Sequence, residues 1–185
     1  MKNVLFVISG PSGVGKGTIA KKLIERNANY SLSISCTTRN PREGEVNARE
    51  YFFITKEEFE NMINQNGFLE YSNHFENYYG TPKEFVLEKL RTNDVLLEID
   101  VNGGLNVKKS FNQAILIMIL PPSVEEVRKR LIKRGTESLD KINSRMERME
   151  FELAKKEFYD YCVVNDDLDT AVKEIEQIII NEKNK

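Results

Sequence analysis

Residues 4–18 read VLFVISGPSGVGKGT, and this stretch decides the fold class. The run from Val4 to Ile8 is apolar at every position, which is typical of a strand buried on both faces of a parallel sheet. A glycine-rich turn follows, and residues 16–26 then carry apolar side chains at the spacing of a helix. Because this order of strand, turn and helix opens many folds of the α/β class, we predict an α/β protein.

The turn itself matches the pattern of a phosphate-binding loop (P-loop), with Gly10, Gly15 and Lys16 at the specified positions. In such a loop, backbone N–H groups and the following helix N-terminus face phosphate oxygens, and the lysine reaches the β- and γ-phosphates. The pattern departs where Gly17 replaces the usual hydroxyl residue. Since one helical residue rotates the side chain by about 100°, we expect Thr18 to meet the α-phosphate side. The predicted triphosphate contacts are Gly10, Pro11, Ser12, Gly13, Val14, Gly15, Lys16, Gly17 and Thr18.

The rest of the chain continues the α/β pattern. Apolar runs predict strands at residues 95–100, 115–120 and 161–164. Thr81 precedes a proline and is predicted to cap a helix that begins there, and a second helix is predicted to begin after Ser123.

Two segments break this pattern and predict insertions into one domain. Residues about 34–81 are rich in aromatic and strand-like stretches, which indicates a small mixed subdomain. Residues about 134–157 are highly charged and helical, and they are predicted to form a second mobile piece. The predicted core then comprises residues 1–33, 82–133 and 158–185.

Composition limits the classes of function. The 185 residues carry 27 Lys+Arg and 29 Asp+Glu, so the formal net charge is −2. This balance argues against a protein that coats nucleic acid or an anionic membrane. Cys36 and Cys162 have no metal-ligand spacing, and no apolar run approaches the roughly 20 residues of a membrane span. We therefore expect a cytoplasmic protein without a zinc site.

A second group of motifs carries a resemblance to a known family. Residues 35–45 read SCTTRNPREGE, and Glu70 is followed by a Tyr-Tyr-Gly-Thr sequence that ends at Thr81. Together with Glu98-Ile99-Asp100, Arg134-Gly135, Arg145 and Asn165-Asp166-Asp167-Leu168, these motifs resemble the guanylate kinases over essentially the whole chain. The resemblance implies a P-loop NTPase-like parallel sheet flanked by helices, with an inserted GMP-binding subdomain (34–81) and a helical lid (134–157). It also implies transfer of the γ-phosphoryl group of ATP to GMP, giving ADP and GDP, in purine nucleotide recycling, with dGMP as an expected second acceptor.

The resemblance assigns Glu70 as the reader of guanine, with Thr81 and Ser35 adding hydroxyl contacts. The residue chemistry fits, because guanine presents donors at N1 and at its 2-amino group, and one carboxylate can accept both. Adenine presents an acceptor at N1 and would meet the carboxylate with a lone pair. Mg²⁺ is expected to accompany ATP and to be held by phosphates and water, with no direct ligand from the protein. Asp100 is expected to help to read the 2-amino group or to order the water shell of this ion.

The phosphate of GMP is assigned to a second set of side chains. Arginine forks match phosphate oxygens, and tyrosine hydroxyls can add donors. By resemblance this set contains Arg39, Arg42, Tyr51 and Tyr79, with Glu45 as a partner that orients an arginine.

Phosphoryl transfer depends on cations and positioning, because charge spreads over three equatorial oxygens in the transition state. The region between residues 128 and 148 is rich in such cations, namely Arg128, Lys129, Arg130, Lys133, Arg134, Lys141, Arg145 and Arg148. Arg134 and Arg145 match the lid arginines of the family, which gives Lys16, Arg42, Arg134 and Arg145 as the expected catalytic residues. Asn165 and Asp166 are expected to contact adenine, and the protein is expected to be a monomer or a homodimer.

Three other functions stay open at this point. A GTPase is suggested by the DxxG pattern of residues 100–103, but the chain has no Asn-Lys-x-Asp motif for guanine. A non-catalytic module that binds phosphorylated peptides would share the fold, although such modules typically lack an intact P-loop. A third possibility is a kinase that acts on AMP, UMP or a sugar.

Overall fold

The computed structural model describes residues 2–74, 76–134 and 138–185, with the side chains of these residues apart from those of His74, Arg130, Arg134 and Lys141. The strands are β1 (Leu5–Ser9), β2 (Tyr30–Leu32), β3 (Cys36–Thr37), β4 (Phe52–Phe53), β5 (Phe68–His74), β6 (Asn77–Pro82), β7 (Asp94–Glu98), β8 (Ile115–Leu120) and β9 (Tyr161–Val164). The α-helices are α1 (Lys16–Arg26), α2 (Lys56–Asn64), α3 (Lys83–Lys89), α4 (Val101–Ser110), α5 (Val124–Arg134), α6 (Leu139–Leu153) and α7 (Leu168–Lys183).

A parallel sheet with the order β2-β7-β1-β8-β9 forms the centre of the molecule. The glycine-rich turn joins β1, its middle strand, to α1. The strands predicted at residues 95–100, 115–120 and 161–164 are confirmed, with shifts of one or two residues at the ends of the first. The α/β class is confirmed as well.

Successive side chains of β1 enter different cores, as expected for a strand that is covered on both faces. Phe6 and Ile8 pack in the cluster that α1 and α7 cover, whereas Leu5 and Val7 pack in the cluster with α3 and α4. Full burial of one such side chain stabilises the fold by about 1.5–3 kcal/mol. This double burial explains why the strand has no polar position before Ser9.

A second, mixed sheet has the order β4-β3-β6-β5 and lies within the predicted insert. Its core is aromatic: the ring of Phe59 on α2 stacks on Phe68 at 4.4 Å and on Tyr78 at 5.0 Å between centroids. A capping box between Thr55 and Glu58 starts α2. The insert therefore has an apolar centre of its own.

Helices α5 and α6 form a hairpin with a small separate core, made of Val127, Leu131, Ile142, Met146 and Met149. Ser123 accepts a hydrogen bond from the N–H of Glu126 at 3.0 Å, as the capping pattern predicts. Within the residues that the structure describes, no helix combines the length and the hydrophobicity of a membrane span.

The predicted cap of α3 is wrong. This helix begins at Lys83, with Pro82 as the preceding residue and no side-chain cap. Thr81 lies at the end of β6, where its hydroxyl donates a hydrogen bond to Glu70 at 2.7 Å. Thr81 therefore uses its hydroxyl for a tertiary hydrogen bond to Glu70 and does not cap α3.

Candidate functional site

The carboxyl ends of neighbouring parallel strands bring the predicted site segments together. The P-loop follows β1, Glu98 ends β7, and Asn165 follows β9. In the pairing of β1 with β7, Ile8 lies opposite Glu98, so the P-loop and the segment 98–100 leave the sheet side by side. This edge is where open α/β sheets bind their ligands.

The P-loop requires glycine at two closely packed positions. Gly10 and Gly15 have φ angles of 152° and 100°. A Cβ on Gly10 would lie 2.4 Å from the carbonyl oxygen of Ile119, and one on Gly15 would lie 2.6 Å from Nδ2 of Asn165. Any side chain would therefore force the loop away from the strand ends.

Lys16 is the first residue of α1 and reaches back over the loop. Its Nζ donates hydrogen bonds to the carbonyl oxygens of Gly10 at 2.8 Å and Pro11 at 3.2 Å. Burial lowers the pKa of Lys16, and the nearby carboxylates of Glu98, Glu152 and Asp100 oppose that effect. The lysine is thus a cation held at the loop by backbone oxygens.

Asn165 also contacts the P-loop. Its Nδ2 donates a 2.7 Å hydrogen bond to the carbonyl oxygen of Val14, and its backbone N–H donates to Leu120 at 2.8 Å. The side chain is buried, whereas that of Asp166 is exposed. Asn165 therefore joins the loop to the end of β9, while the adenine contact expected for this pair stays a prediction.

A cleft of about 690 Å³ separates the P-loop side of the molecule from the second sheet. This volume lies in the range of small-molecule sites. The cleft gathers most of the residues that the sequence assigns to GMP and to catalysis. Those that line it are Ser35, Arg39, Arg42, Tyr51, Glu70, Tyr79, Asp100 and Arg145, and Ser12 of the P-loop lines the cleft as well.

One end of the cleft centres on Glu70, the expected reader of guanine, which is 8% exposed. Burial raises the pKa of Glu70 to about 7, and the charge of Asp100 adds to the rise, while the Thr81 hydroxyl opposes it. A Cβ on Gly103, in the first turn of α4, would lie 3.2 Å from Oε2 of Glu70. Gly103 thus leaves room for the carboxylate beside the helix N-terminus.

The other end of the cleft holds the arginines of residues 35–45. The Nη2 atom of Arg39 donates to both carboxylate oxygens of Glu45 at 2.9 Å. Oε2 of Glu45 also accepts the backbone N–H of Arg42 at 2.7 Å. The Arg39 guanidinium lies 5.7 Å from the ring centre of Tyr51, which packs edge-on against Tyr79. Glu45 therefore fixes both the side chain of one arginine and the backbone of the other.

The two arginines that the resemblance assigns to a lid are placed in part. Arg145 on α6 lines the cleft. The side chain of Arg134 and residues 135–137 lie outside the described part of the chain. Arg148, Glu152 and Glu98 also lie near Lys16, although the sequence interpretation gave them no role. The spacing of Arg148 and Glu152 by four residues on one helix is a signal of pairing, but nothing in the pattern indicates that Glu152 is buried.

Glu98 occupies the side of α1 where the P-loop pattern usually has a hydroxyl. A Cβ on Gly17 would lie 3.3 Å from its Oε2. Partial burial raises the pKa of Glu98, and Lys16 opposes the rise. Carboxylate oxygens are suitable for Mg²⁺ or for the water molecules around it. Among the described residues, no group of three or more His, Cys, Asp or Glu side chains has the arrangement of a metal site.

Comparisons with known proteins agree on one family. The family model described as guanylate kinase matches residues 2–182. A guanylate kinase of Caldanaerobacter subterraneus subsp. tengcongensis is 54% identical over 183 residues, which cover 98% of this chain and 89% of that protein. One from Clostridium tetani is 50% identical, with 98% and 88% covered. The crystal structure of guanylate kinase from Anaplasma phagocytophilum superposes with a TM-score of 0.79 at 32% identity, covering 100% of this chain and 88% of that one.

Proposed function

This chain belongs to the guanylate kinase family and phosphorylates GMP to GDP with ATP as donor, and we propose that the cleft described above carries this reaction. The observation that supports the proposal is the presence of Glu70, Arg39 and Arg42 in one cleft that opens towards the P-loop. Two binding surfaces of different chemistry thus border the same cleft: the P-loop, and the group of Glu70, Arg39 and Arg42. One suits a triphosphate, and the other suits a purine monophosphate.

We propose that residues 10–18 bind the triphosphate of ATP. Backbone N–H groups and the N-terminus of α1 supply fixed partial positive charge, and Lys16 supplies a full one. When phosphate enters, Nζ of Lys16 exchanges the carbonyl oxygens of Gly10 and Pro11 for phosphate oxygens. Asn165 holds the loop in shape for this exchange through its hydrogen bond to Val14.

The base of GMP is proposed to lie against Glu70, Thr81 and Ser35. Thr81 donates to Oε1 of Glu70, which orients the carboxylate in its plane. The ionised carboxylate accepts hydrogen bonds from guanine N1 and from the 2-amino group. Asp100 lies beside it and is proposed to assist at the 2-amino group.

The phosphate of GMP is the nucleophile. It is ionised near neutral pH because its second pKa is about 6, so the reaction needs no protein base. Arg39, Arg42, Tyr51 and Tyr79 are proposed to hold it in line with the donor, while Glu45 keeps the first arginine in place. Such positioning supplies much of the rate in phosphoryl transfer.

The second sheet is proposed to form the GMP-binding subdomain, and α5 with α6 the lid. Arg145, and by resemblance Arg134, are proposed to neutralise charge on the transferred group when the lid closes. A single arginine in this role is worth roughly 10³–10⁵ in rate. Closure also excludes water, which would otherwise accept the phosphoryl group.

A divalent metal is implied by the family, and we propose Mg²⁺ bound through phosphates and water. The carboxylates of Glu98, beside Gly17, and of Asp100 fit the role of holding that water. When bound, the ion would neutralise charge on the phosphates. We further propose that the enzyme is cytoplasmic, as its two free thiols suit a reducing compartment, and that it is a monomer or a homodimer.

A nucleotide screen tests the function. With ATP as donor, ADP formation is measured in a coupled assay against GMP, dGMP, AMP, UMP and IMP. We expect rapid turnover with GMP and dGMP and slower turnover with IMP, which lacks the 2-amino donor. AMP and UMP are expected to be poor by at least about 100-fold, because their bases leave buried polar groups unpaired.

Glu70→Ala is the matched variant. It should abolish most activity with GMP, since the base contact is worth one or two charge-assisted hydrogen bonds. The affinity for ATP should stay within about threefold, because ATP is proposed to bind at the P-loop. Equal rates with GMP and AMP in the parent would contradict the proposed site. So would a loss of ATP affinity in Glu70→Ala as large as the loss of GMP affinity.

A further inference from the structure

Arg148, on lid helix α6, is a cation that the roles above do not use. Its Nε donates a 2.8 Å hydrogen bond to Oε1 of Glu152, one helical turn later. Its Nη2 lies 3.6 Å from Oδ2 of Asp100, which belongs to the core. The same guanidinium thus joins a residue of its own helix to a residue of the cleft.

Glu152 gives this arginine a fixed direction. The residue is only 4% exposed, although the Arg148 side chain is 52% exposed. A buried carboxylate is costly unless it is paired and hydrogen-bonded, so the contact with Nε is strongly favoured. Because the guanidinium is planar, fixing Nε on Glu152 also fixes the direction of the Nη atoms, which face Asp100.

Asp100 in turn is tied to the base-reading end of the cleft. Its Oδ1 accepts the N–H of Gly103 at 2.7 Å and caps α4. A Cβ on Gly103 would lie 3.2 Å from Oε2 of Glu70 and 3.3 Å from Oδ1 of Asp100. The two carboxylates therefore share the first turn of α4, and Arg148 contacts that pair from the lid.

A second contact follows the same path. Nζ of Lys155, two residues after α6 ends, donates to Oδ1 of Asn102 in the first turn of α4. The end of the lid hairpin and the start of α4 are thus linked twice. This arrangement suits a joint between the lid and the base-reading end rather than an isolated surface ion pair.

We propose that Arg148 is a positioning residue that fixes Asp100 beside Glu70 and so links lid helix α6 to the GMP site. The proposal rests on the proposed function, because it takes Glu70 as the guanine reader. Arg148 acts through Asp100 and supplies no contact to the transferred group. It differs in this from Arg145, which lines the cleft itself.

The charge of Arg148 has a consequence for Glu70. The groups beside Glu70 are Thr81 of β6 and Asp100 at the start of α4, and the other charged residues that line the same cleft are Arg39, Arg42, Glu98 and Arg145. Asp100 disfavours the ionised form of Glu70, and Arg148 offsets part of that charge. Removing the arginine should therefore raise the pKa of Glu70, so that GMP binding weakens on acidification at a higher pH than in the parent.

The test uses steady-state kinetics of the full chain with Arg148→Met, which keeps the apolar stem. We expect the KM for GMP to rise about tenfold, the factor for one lost charge-assisted contact, while the KM for ATP stays within about threefold. The decline of kcat/KM for GMP on the acidic side of its pH profile, its acid limb, should begin at a higher pH. The control is Arg128→Met, which removes the same charge from an exposed lid residue paired with Asn143.

Two further variants distinguish two explanations of a raised KM: the loss of a side chain that positions Asp100, and the loss of the charge that compensates the buried carboxylate of Glu152. In Arg148→Met/Glu152→Gln no buried carboxylate is left unpaired, and we expect the KM for GMP to stay raised. Arg148→Lys keeps the charge but replaces two separately directed nitrogens by one. The pH dependence of kcat/KM should therefore return to that of the parent, while the KM for GMP stays raised.

Recovery of the KM for GMP in the double variant would overturn the inference, as would a KM for GMP in Arg148→Met within twofold of the parent. Both outcomes presuppose GMP-dependent turnover by the unaltered chain. Absence of that turnover would contradict the proposed function instead.

Discussion

The hydroxyl of Thr81 donates a 2.7 Å hydrogen bond to Oε1 of Glu70, and both side chains are buried. The two residues are direct partners in the pairing of β5 with β6. The sheet therefore sets their distance before any ligand binds. Because one carboxylate oxygen is occupied in this way, the carboxylate has a fixed plane and its other oxygen faces the first turn of α4. Guanine would meet an acceptor that needs no rearrangement, which is the preorganisation that favours binding.

Recognition of guanine should depend on pH near neutrality. Burial raises the pKa of Glu70 to about 7, so a growing fraction is protonated as the pH falls below that value. A protonated Glu70 loses one acceptor and presents a donor to a base edge that itself donates. We expect kcat/KM for GMP to fall by about tenfold per pH unit well below 7, as a single required ionisation dictates.

Guanosine provides the control for that profile, because it lacks the phosphate that titrates near pH 6. Its inhibition constant against GMP should rise with the same midpoint as the acid limb. An inhibition constant that stays constant between pH 8 and pH 5.5 would show that Glu70 is not the titrating group.

The same burial should make Glu70 a source of instability. An acid whose pKa is higher in the folded state lowers the free energy of unfolding above its unfolded pKa, and the penalty disappears as the acid is protonated. With a rise from 4.5 to about 7, at about 1.4 kcal/mol per unit, the penalty is about 3 kcal/mol at pH 8 and below about 1 kcal/mol at pH 5. Glu70→Gln should therefore be more stable than the parent at pH 8, by about 2–3 kcal/mol.

Urea unfolding at pH 8 and pH 5 measures this difference. The amide keeps an acceptor for Thr81, so the comparison isolates the charge. A stabilisation of equal size at both pH values would indicate altered packing rather than a removed charge.

The parts of the fold that could be predicted are those where local pattern and tertiary environment agree. The run from Val4 to Ile8 is buried on both faces, and burial on both faces is what its composition indicates. The helix from Lys16 to Arg26 has the predicted bounds, because the P-loop fixes its start. Thr55-x-x-Glu58 carries an equally clear capping signal for α2, which the sequence interpretation did not use.

The parts that could not be predicted depend on contacts between distant segments. Thr81 has the local context of a helix cap, but its hydroxyl bonds to Glu70, whose approach depends on the β5–β6 pairing. Arg148 and Glu152 look like an ordinary exposed pair on a charged helix. Their significance comes from the burial of Glu152 and the approach of Asp100, and both depend on how α6 packs against the core.

Lys16→Met should remove most of the phosphoryl transfer without unfolding the protein. The variant loses the cation at the P-loop together with two hydrogen bonds to loop carbonyls. We expect kcat to fall at least about 100-fold, as for other losses of preorganised charge at a transition state. Initial rates at saturating ATP and GMP measure the effect.

The control on the same helix is Lys21→Met, whose side chain is 79% exposed. It should retain the parental kcat within about twofold, since exposed charges of this kind contribute little. Comparable losses in both variants would point to a general effect of charge on α1 rather than to a role for Lys16 at the phosphates.

Asn165→Ala should weaken ATP binding through the P-loop. Without the amide, the Val14 carbonyl loses its 2.7 Å hydrogen bond, and Gly15 loses the side chain that packs against it. We expect the KM for ATP to rise about tenfold, which corresponds to about 1.4 kcal/mol for one buried hydrogen bond. The exposed Asn181→Ala on α7 serves as the control and should leave the KM unchanged.

The nature of the loss distinguishes the P-loop contact of Asn165 from the expected adenine contact. Inorganic tripolyphosphate carries the phosphates without the base, and its inhibition constant against ATP can be measured for both proteins. If Asn165 acts through Val14, Asn165→Ala should weaken ATP and tripolyphosphate by the same factor. A weakening confined to ATP would assign the residue to adenine instead and would show that the P-loop keeps its shape without the hydrogen bond from Asn165 to Val14.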